Sequence, residues 1–208
     1  TAALRNFDTK KVDKYTVEYS LYANALYKDD NTLVSDARAV VNVGPIAANN
    51  SATASTQMVV NQPNLWSAER PYLYTLVAQL KDRKNKIIET ISTTVGFRKV
   101  EIKNTKAEDD EFGLAGRYFY VNGKPVKLKG VNRHETNPST GKVVSHEQME
   151  NEIALMKRAN INHVRNSHYP DDPYWYYLCN KYGIYLEDEG NIESHQYYYG
   201  KESISHPV

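Results

Sequence analysis

The sequence predicts two domains, a β-sandwich over residues 1–102 and an α/β domain over residues 103–208. Three observations predict this division. Before residue 102, apolar and polar residues alternate in short runs, with no apolar stripe of helical period. The charged segment KNTKAEDDEFG (103–113) then separates two halves that differ in pattern. After it, strand-like and helix-like segments follow one another in the order β-α-β-α-β, which is typical of a parallel sheet.

The first half is predicted to contain only strands. Tyr15, Val17, Tyr19 and Leu21 alternate with polar neighbours, as in a half-buried strand. Further strands are predicted at 39–43, 57–60, 72–80 and 87–95, and the small, polar segment 44–55 is predicted to be a loop. Several short antiparallel strands within about a hundred residues indicate a β-sandwich.

The second half carries clear signals for turns and helix ends. Asn122-Gly123 lies between two strand-like runs and predicts a two-residue hairpin, followed by a strand at 126–131. Ser145, with Gln148 three residues later, predicts the start of a helix with one apolar face formed by Met149, Ile153, Met156 and Ala159. A second helix is predicted to begin at Asp172-Pro173 and to end at Gly183, between strands at 163–165 and 184–186.

Composition excludes several classes of protein. The formal net charge is +1, from 26 Lys+Arg and 25 Asp+Glu, which argues against a nucleic-acid partner bound by bulk charge. No apolar run is long enough to cross a bilayer, so no membrane partner is expected. The single Cys179 excludes an internal disulfide framework and a Cys-rich zinc site. The chain shows no targeting segment, so its compartment is left open between cytoplasm and periplasm.

Polar residues collect where the three strands of the second half end. The strands lead into NRHE (132–135), RNSHYP (165–170) and DEGNIESH (188–195). In parallel α/β barrels this carboxyl end of the sheet is where active sites are built. An eight-stranded barrel needs roughly 250 residues, so three strands are only part of one, and we interpret the chain as a piece of a longer protein.

Each polar residue also has an ordinary structural interpretation. His134 or His168 alone would more often be a hydrogen-bonded structural histidine, and Arg165 could be a buried, paired charge. Glu193 and His195 lie two residues apart, so in an extended segment they point the same way, which is a weak metal signal. The occurrence of all these polar residues at three successive strand ends favours a functional site.

Two stretches of this half resemble the β-galactosidases of glycoside hydrolase family 2, namely GVNRHE (130–135) and NHVRNSHYPDDPYWYYLCNKYGIYLEDEGNIESH (162–195). Upstream, LWSAERPYLYTL (65–76) and GFRKVEI (96–102) resemble the end of the immunoglobulin-like domain of that family. The resemblance implies an immunoglobulin-like β-sandwich followed by the first three βα units of a TIM (β/α)8 barrel. Gly190 stands where alanine is usual and Gln196 where glycine is usual, which leaves the proposed metal pair intact.

The resemblance also implies roles for individual residues. His134 and His168 would hydrogen-bond galactosyl hydroxyls and stabilise the transition state, and Arg165 would orient the nucleophilic carboxylate. Glu193 and His195 would ligate Mg²⁺ beside the acid/base residue in the complete enzyme. Histidine is an uncommon ligand for this ion, so the metal assignment depends on the family.

The reaction needs more than this chain contains. A retaining glycosidase uses two carboxyl groups about 5–5.5 Å apart, and in the family both are glutamates on later barrel strands, the first in an Asn-Glu pair. The one such pair here, Asn151-Glu152, falls within the first predicted helix. Glu135, Glu189 and Glu193 are not expected to replace them. The chain alone is therefore predicted to be inactive.

The sequence is compatible with three functions. The first is a segment of a retaining glycoside hydrolase that cleaves terminal non-reducing β-D-galactosides. The alternative is a non-catalytic carbohydrate-binding or structural module, and a third possibility keeps the family but changes the sugar to a mannoside or glucuronide, against which NIESH (191–195) argues. An incomplete sheet exposes an unpaired edge and an apolar surface, so self-association, and a homo-oligomer, is expected.

Overall fold

The computed structural model describes residues 1–110 and 113–192, apart from the side chains of residues 35 and 36. The chain forms two compact units. The sandwich unit comprises Thr1–Trp66 and Arg70–Arg98, and the barrel unit comprises Ser67–Glu69 and the chain from Lys99 onward. Among the described residues, no helix is both long enough and apolar enough to cross a membrane.

The sandwich unit consists of two antiparallel sheets. The larger sheet has the order β3-β2-β5-β6, and the smaller one pairs β1 with β4. Val17 and Tyr19 of β2 pack with Val43, Ile46 and Ala54 in a shared apolar core. The strands are β1 (Ala2–Arg5), β2 (Tyr15–Ala23), β3 (Thr32–Val43), β4 (Ser51–Ala54), β5 (Tyr74–Lys81) and β6 (Ile87–Val95).

Two local predictions in this unit are wrong. The predicted loop 44–55 contains β4, whose small residues SATA allow close pairing with β1 and place Ala54 in the core. The predicted strand at 57–60 forms no strand. Met58 there packs against the core while Val59 is 75% exposed, so the alternation of this segment reflects packing on one side without pairing to a neighbouring strand.

The barrel unit begins with an antiparallel sheet of β7 (Val100–Thr105), β8 (Gly116–Val121) and β9 (Lys124–Val126). A short 3-10 helix, Ala107–Asp109, lies between β7 and β8. Asn122 and Gly123 connect β8 to β9 with positive φ angles of 52° and 80°. This is the backbone that a two-residue hairpin turn requires, so the predicted hairpin is confirmed.

A parallel sheet with two helices follows, in the predicted order. Its elements are β10 (Gly130–Arg133), α1 (His146–Arg158), β11 (His163–Asn166), α2 (Pro173–Tyr182) and β12 (Tyr185–Glu187). β11 pairs in parallel with β10 on one side and with β12 on the other. The strand predicted at 126–131 is divided between the end of β9 and the start of β10.

The helix ends match the residues that predicted them. The Ser145 side chain accepts a hydrogen bond from the Gln148 backbone N–H, and Asp172 accepts one from Tyr174, ahead of Pro173. Gly183 ends α2 in the left-handed conformation, with φ 76°. The helices bury one apolar cluster against the sheet, which includes Met149, Ile153, Val164, Trp175, Leu178 and Ile184.

Candidate active site

The strand register separates two sets of side chains at the carboxyl end of the parallel sheet. Val164 is fully buried in the helix-facing cluster, so alternation turns Arg165 to the opposite face of the sheet. Asn132 of β10 is the register partner of Arg165 and shares that face. Arg133 and Asn166, the next pair in the register, lie on the helix side.

Arg165 lies at the centre of the polar cluster on the face away from the helices. Its Nε donates to Glu189 Oε1 at 2.8 Å, and its Nη2 lies 2.6 Å from the same oxygen. Its Nη1 donates to Asn132 and to Ser167 at 3.5 and 3.4 Å. Arg165 is therefore held by residues that follow or belong to all three strands.

The two predicted histidines lie beside Arg165. His168 Nδ1 is 3.1 Å from Arg165 Nη2 and 3.3 Å from Glu189 Oε2. The rings of His134 and His168 meet edge to face, with their centroids 5.4 Å apart. The His168 side chain is 44% exposed, which leaves it open to a ligand. The structure thus brings His134, Arg165 and His168 together, and their roles in binding and catalysis remain predictions.

Glu189 is a member of this cluster that the sequence did not identify as a partner of Arg165. The hydrogen bond from Arg165, reinforced by its positive charge and by His168, lowers the pKa of Glu189 below its usual value. The group therefore stays ionised at neutral pH. In the strand register Arg165 lies opposite Glu187, and Glu189 follows two residues later. Knowledge of this register would have identified Glu189 as a partner of Arg165.

A second set of hydrogen bonds supports the loop that follows β11. Trp175 Nε1 donates to Asn166 Oδ1 at 3.2 Å, and Asn166 in turn donates to Asp188 at 3.3 Å. The Tyr176 hydroxyl donates to Asp188 at 2.7 Å. Burial, together with this bond to Asp188, raises the pKa of Tyr176 to about 12, so the phenol remains a donor.

The glutamates near the strand ends are already engaged. Glu189 is bound by Arg165 and His168, and Glu135 accepts hydrogen bonds from Arg133 and from the Asp172 backbone. Neither is free to attack an anomeric carbon. The cluster can hydrogen-bond a polyhydroxylated ligand through its imidazoles and guanidinium. Within residues 113–192, we identify no pair of carboxyl groups that could serve as acid and nucleophile.

The predicted metal ligands Glu193 and His195 lie outside the described residues. Within the part of the chain that the structure describes, no group of three or more His, Cys, Asp or Glu side chains is arranged to hold a metal ion. The magnesium assignment therefore stays a prediction.

Two sequence profiles of one enzyme family match the chain. Residues 3–98 match the profile described as glycosyl hydrolases family 2. Residues 112–206 match the profile of the family 2 TIM barrel domain. Together the two matches account for most of the chain.

Curated relatives are similar in sequence to this chain over much of its length. The β-galactosidase of Pectobacterium atrosepticum is 47% identical over 142 residues, which are 68% of this chain and 12% of that protein. The β-galactosidase of Yersinia enterocolitica is 43% identical over 167 residues, which are 79% of this chain and 15% of that protein. The chain therefore spans only a small part of these relatives.

Solved structures agree on the fold. Bacteroides uniformis β-glucuronidase 2 superimposes with a TM-score of 0.71 at 25% identity, over 88% of this chain and 20% of that one. A family 2 β-galacturonidase from Eisenbergiella tayi gives 0.70 at 23%, over 90% and 29%. With the family profiles, these matches confirm the predicted immunoglobulin-like sandwich followed by the start of a (β/α)8 barrel. Of the three predicted βα units, the described residues contain three strands and two helices.

Proposed function

Because the chain belongs to glycoside hydrolase family 2, we propose that it is a segment of a retaining enzyme that cleaves terminal non-reducing β-D-galactosides. The observation that carries this proposal is the cluster of His134, Arg165 and His168 at the ends of β10 and β11. The relatives that are 43–47% identical are named β-galactosidases, whereas the glucuronidase structure is 25% identical, so the galactoside is favoured over the glucuronide.

The described residues would act on the sugar through hydrogen bonds. His134 and His168 would bind galactosyl hydroxyls, and bonds that strengthen as the oxocarbenium-like transition state forms would lower the barrier. Arg165 would orient the nucleophilic carboxylate while Glu189 and Asn132 fix its guanidinium plane. One carboxyl group would protonate the glycosidic oxygen and a second would attack the anomeric carbon, and both would come from outside this chain.

We also propose that Glu193 and His195 bind Mg²⁺, which would supply positive charge beside the acid/base residue. Calorimetric titration with MgCl₂ of a complete enzyme that carries this segment tests the ligands without any need for turnover. Binding that Glu193→Gln weakens at least about tenfold, a loss of roughly 1.4 kcal/mol, is the expected result. Equal Mg²⁺ affinity of the wild-type protein and the Glu193→Gln variant would show that Glu193 is not a ligand.

The galactoside is tested with a hybrid enzyme. In it, residues of this chain replace the 142 matching residues of the Pectobacterium atrosepticum β-galactosidase. We expect the 208-residue chain alone to be inactive on a chromogenic β-galactoside with Mg²⁺, and the hybrid to turn it over. His168→Ala in the hybrid should lower kcat/KM by about 10²–10³-fold, as when one donor to a transition state is removed. Arg158→Met, at an exposed position of α1, is the control.

Three results would contradict the proposal. Turnover by the 208-residue chain would show that it contains its own acid and nucleophile. A preference of the hybrid for a β-glucuronide or β-mannoside would change the sugar. A folded hybrid that binds galactose without hydrolysis would favour a non-catalytic carbohydrate-binding module. The proposed assembly is a homo-oligomer, in the cytoplasm or periplasm.

A further inference from the structure

Arg133, the last residue of β10, is a buried arginine on the helix side of the sheet. Its register partner is Asn166, and only 4% of its side chain is exposed. It thus points away from the sugar-facing cluster that contains Arg165. A buried charge in this position needs partners, since an unpaired one is strongly destabilising.

Two helices and two loops supply those partners. Arg133 Nε donates to Glu152 of α1 at 2.8 Å, and Nη1 donates to Asp171, in the loop between β11 and α2, at 2.6 Å. Nη1 also reaches Glu135 at 3.3 Å. The guanidinium carbon lies 4.0 Å from the centre of the Trp175 ring of α2, a stacking geometry that lysine could not reproduce.

The charges of this cluster do not balance. One guanidinium faces the carboxylates of Glu135, Glu152 and Asp171. Burial raises the pKa of Asp171 more than Arg133 lowers it, and the charge of Glu135 adds to the rise. Burial acts to lower the pKa of Arg133, but Glu152 and Asp171 outweigh it and raise that pKa. The rise in the Asp171 pKa therefore comes mainly from burial, and the rise in the Arg133 pKa comes from the carboxylates that it faces.

This cluster is a poor source of stability. Arg133 Nη2 and Asp171 Oδ1 are buried without a hydrogen-bond partner among the described residues. Buried ion pairs often contribute little beyond what apolar packing would give, and unsatisfied buried atoms cost free energy. The cluster instead fixes positions, because a planar guanidinium holds its hydrogen-bond acceptors in a defined geometry.

The groups that Arg133 fixes lie on both sides of the two histidines. Arg133 is adjacent to His134 in the chain, and Glu135 on the other side accepts hydrogen bonds from Arg133 and from Asp172 N–H at 2.9 Å. The Arg133 carbonyl accepts from Ser167 N–H at 2.8 Å, and Ser167 directly precedes His168. Asp171, three residues after His168 in the same loop, accepts a hydrogen bond from the Arg133 side chain.

We propose that Arg133 is a positioning residue that sets the distance between His134 and His168 without touching the sugar. This inference rests on the proposed function for its catalytic consequence and on the observed geometry for its structural one. Loss of the forked hydrogen bonds would let the loop carrying His168 move relative to the end of β10.

The structural consequence is tested on the 208-residue chain, where no activity is needed. Imidazole ¹H–¹⁵N spectra of wild type, Arg133→Lys and Glu152→Gln are compared, with Arg158→Met as the control on the same helix as Glu152. We expect the His134 and His168 signals to shift or broaden in the first two variants and to stay unchanged in the control. Glu152→Gln keeps the arginine and serves if Arg133→Lys does not fold. Unchanged signals in a folded variant would overturn the proposal.

The catalytic consequence is tested in the hybrid enzyme. We expect Arg133→Lys to lower kcat about 10–100-fold while KM changes less than about threefold, because transition-state contacts depend most on geometry. In a His168→Ala background the same substitution should have little further effect. Additive losses would show that Arg133 acts independently of His168. An inactive wild-type hybrid would refute the proposed galactosidase, and the imidazole spectra would still decide the role of Arg133.

Discussion

Gly130 shows how closely β10 approaches β11. A Cβ atom at this position would overlap the backbone oxygen of His163 and lie 2.6 Å from its ring nitrogen Nδ1. Because one contact is backbone, a larger residue could be accommodated only if a strand moved. The glycine therefore preserves the strand spacing on which the alignment of Asn132 with Arg165 depends.

Gly130→Ala should destabilise the barrel unit by about 1–3 kcal/mol, the usual cost of forcing extra volume into a packed site. Urea unfolding followed by far-ultraviolet circular dichroism measures the change. Gly190→Ala is the matched control, since no atom lies within 4 Å of its would-be Cβ. Equal stability of the two variants would mean that the sheet adapts freely at Gly130.

Residue types at the strand ends predicted the cluster of His134, Arg165 and His168, because carboxyl ends of parallel strands meet at one edge. They did not predict the different roles of Arg133 and Arg165. Both arginines lie near the end of a strand, and a shift of one residue in the register would exchange their faces. The register depends on pairing between strands, so Glu189 as the partner of Arg165 and Glu152 as the partner of Arg133 emerged only from the structure.

The helix α1 depends on the contacts of its first turn. The Ser145 side chain accepts from Gln148 N–H at 3.2 Å, as the sequence predicted. The Gln148 side chain, however, does not return to Ser145. It donates to Glu152 at 2.7 Å and accepts from Asn137 at 2.7 Å, which adds a link between the helix and the preceding loop.

Ser145→Ala should destabilise the barrel unit by about 1 kcal/mol, because one N–H group of the first turn loses its acceptor. Ser145→Asp, which keeps an acceptor and adds a favourable charge at the helix N-terminus, should match or slightly exceed wild type. Thermal unfolding of the three proteins compares them. The prediction fails if the aspartate variant is as unstable as the alanine variant.

Elements with strong local signals were predictable, and elements that depend on distant partners were not. Asp172, Pro173 and Gly183 fix the ends of α2 through contacts within a few residues. By contrast β4 exists because β1, some fifty positions earlier in the chain, pairs with it. Residues 57–60 alternate as a strand does but have no such partner.

The sandwich unit leaves apolar side chains exposed to solvent. Ile88 and Ile91 of the edge strand β6 are 52% and 60% exposed. A groove with a volume of about 400 Å³ lies beside them, lined also by Ala2, Leu4, Ala78 and Leu80. An exposed apolar edge of this kind promotes pairing with another chain.

The 208-residue chain should therefore associate with itself as its concentration rises, which sedimentation velocity measures. Replacing Ile88 and Ile91 with lysine should shift the distribution towards monomer. The matched control places the same two charges at Ser92 and Thr94, exposed positions of the same strand. Monomeric wild type throughout the concentration range, or an equal effect of both pairs, would exclude β6 as the contact.

The connections of the parallel sheet bear on the order in which the protein folds. β10, β11 and β12 are each joined to the next by a single helix, so every pairing in this sheet is between neighbours along the chain. In the sandwich unit β2 pairs with β5 across two intervening strands. Low contact order speeds folding. The parallel sheet should thus form without a pairing across intervening strands of the kind that joins β2 to β5, and Arg165 and His168 should come together as β10, β11 and β12 pair.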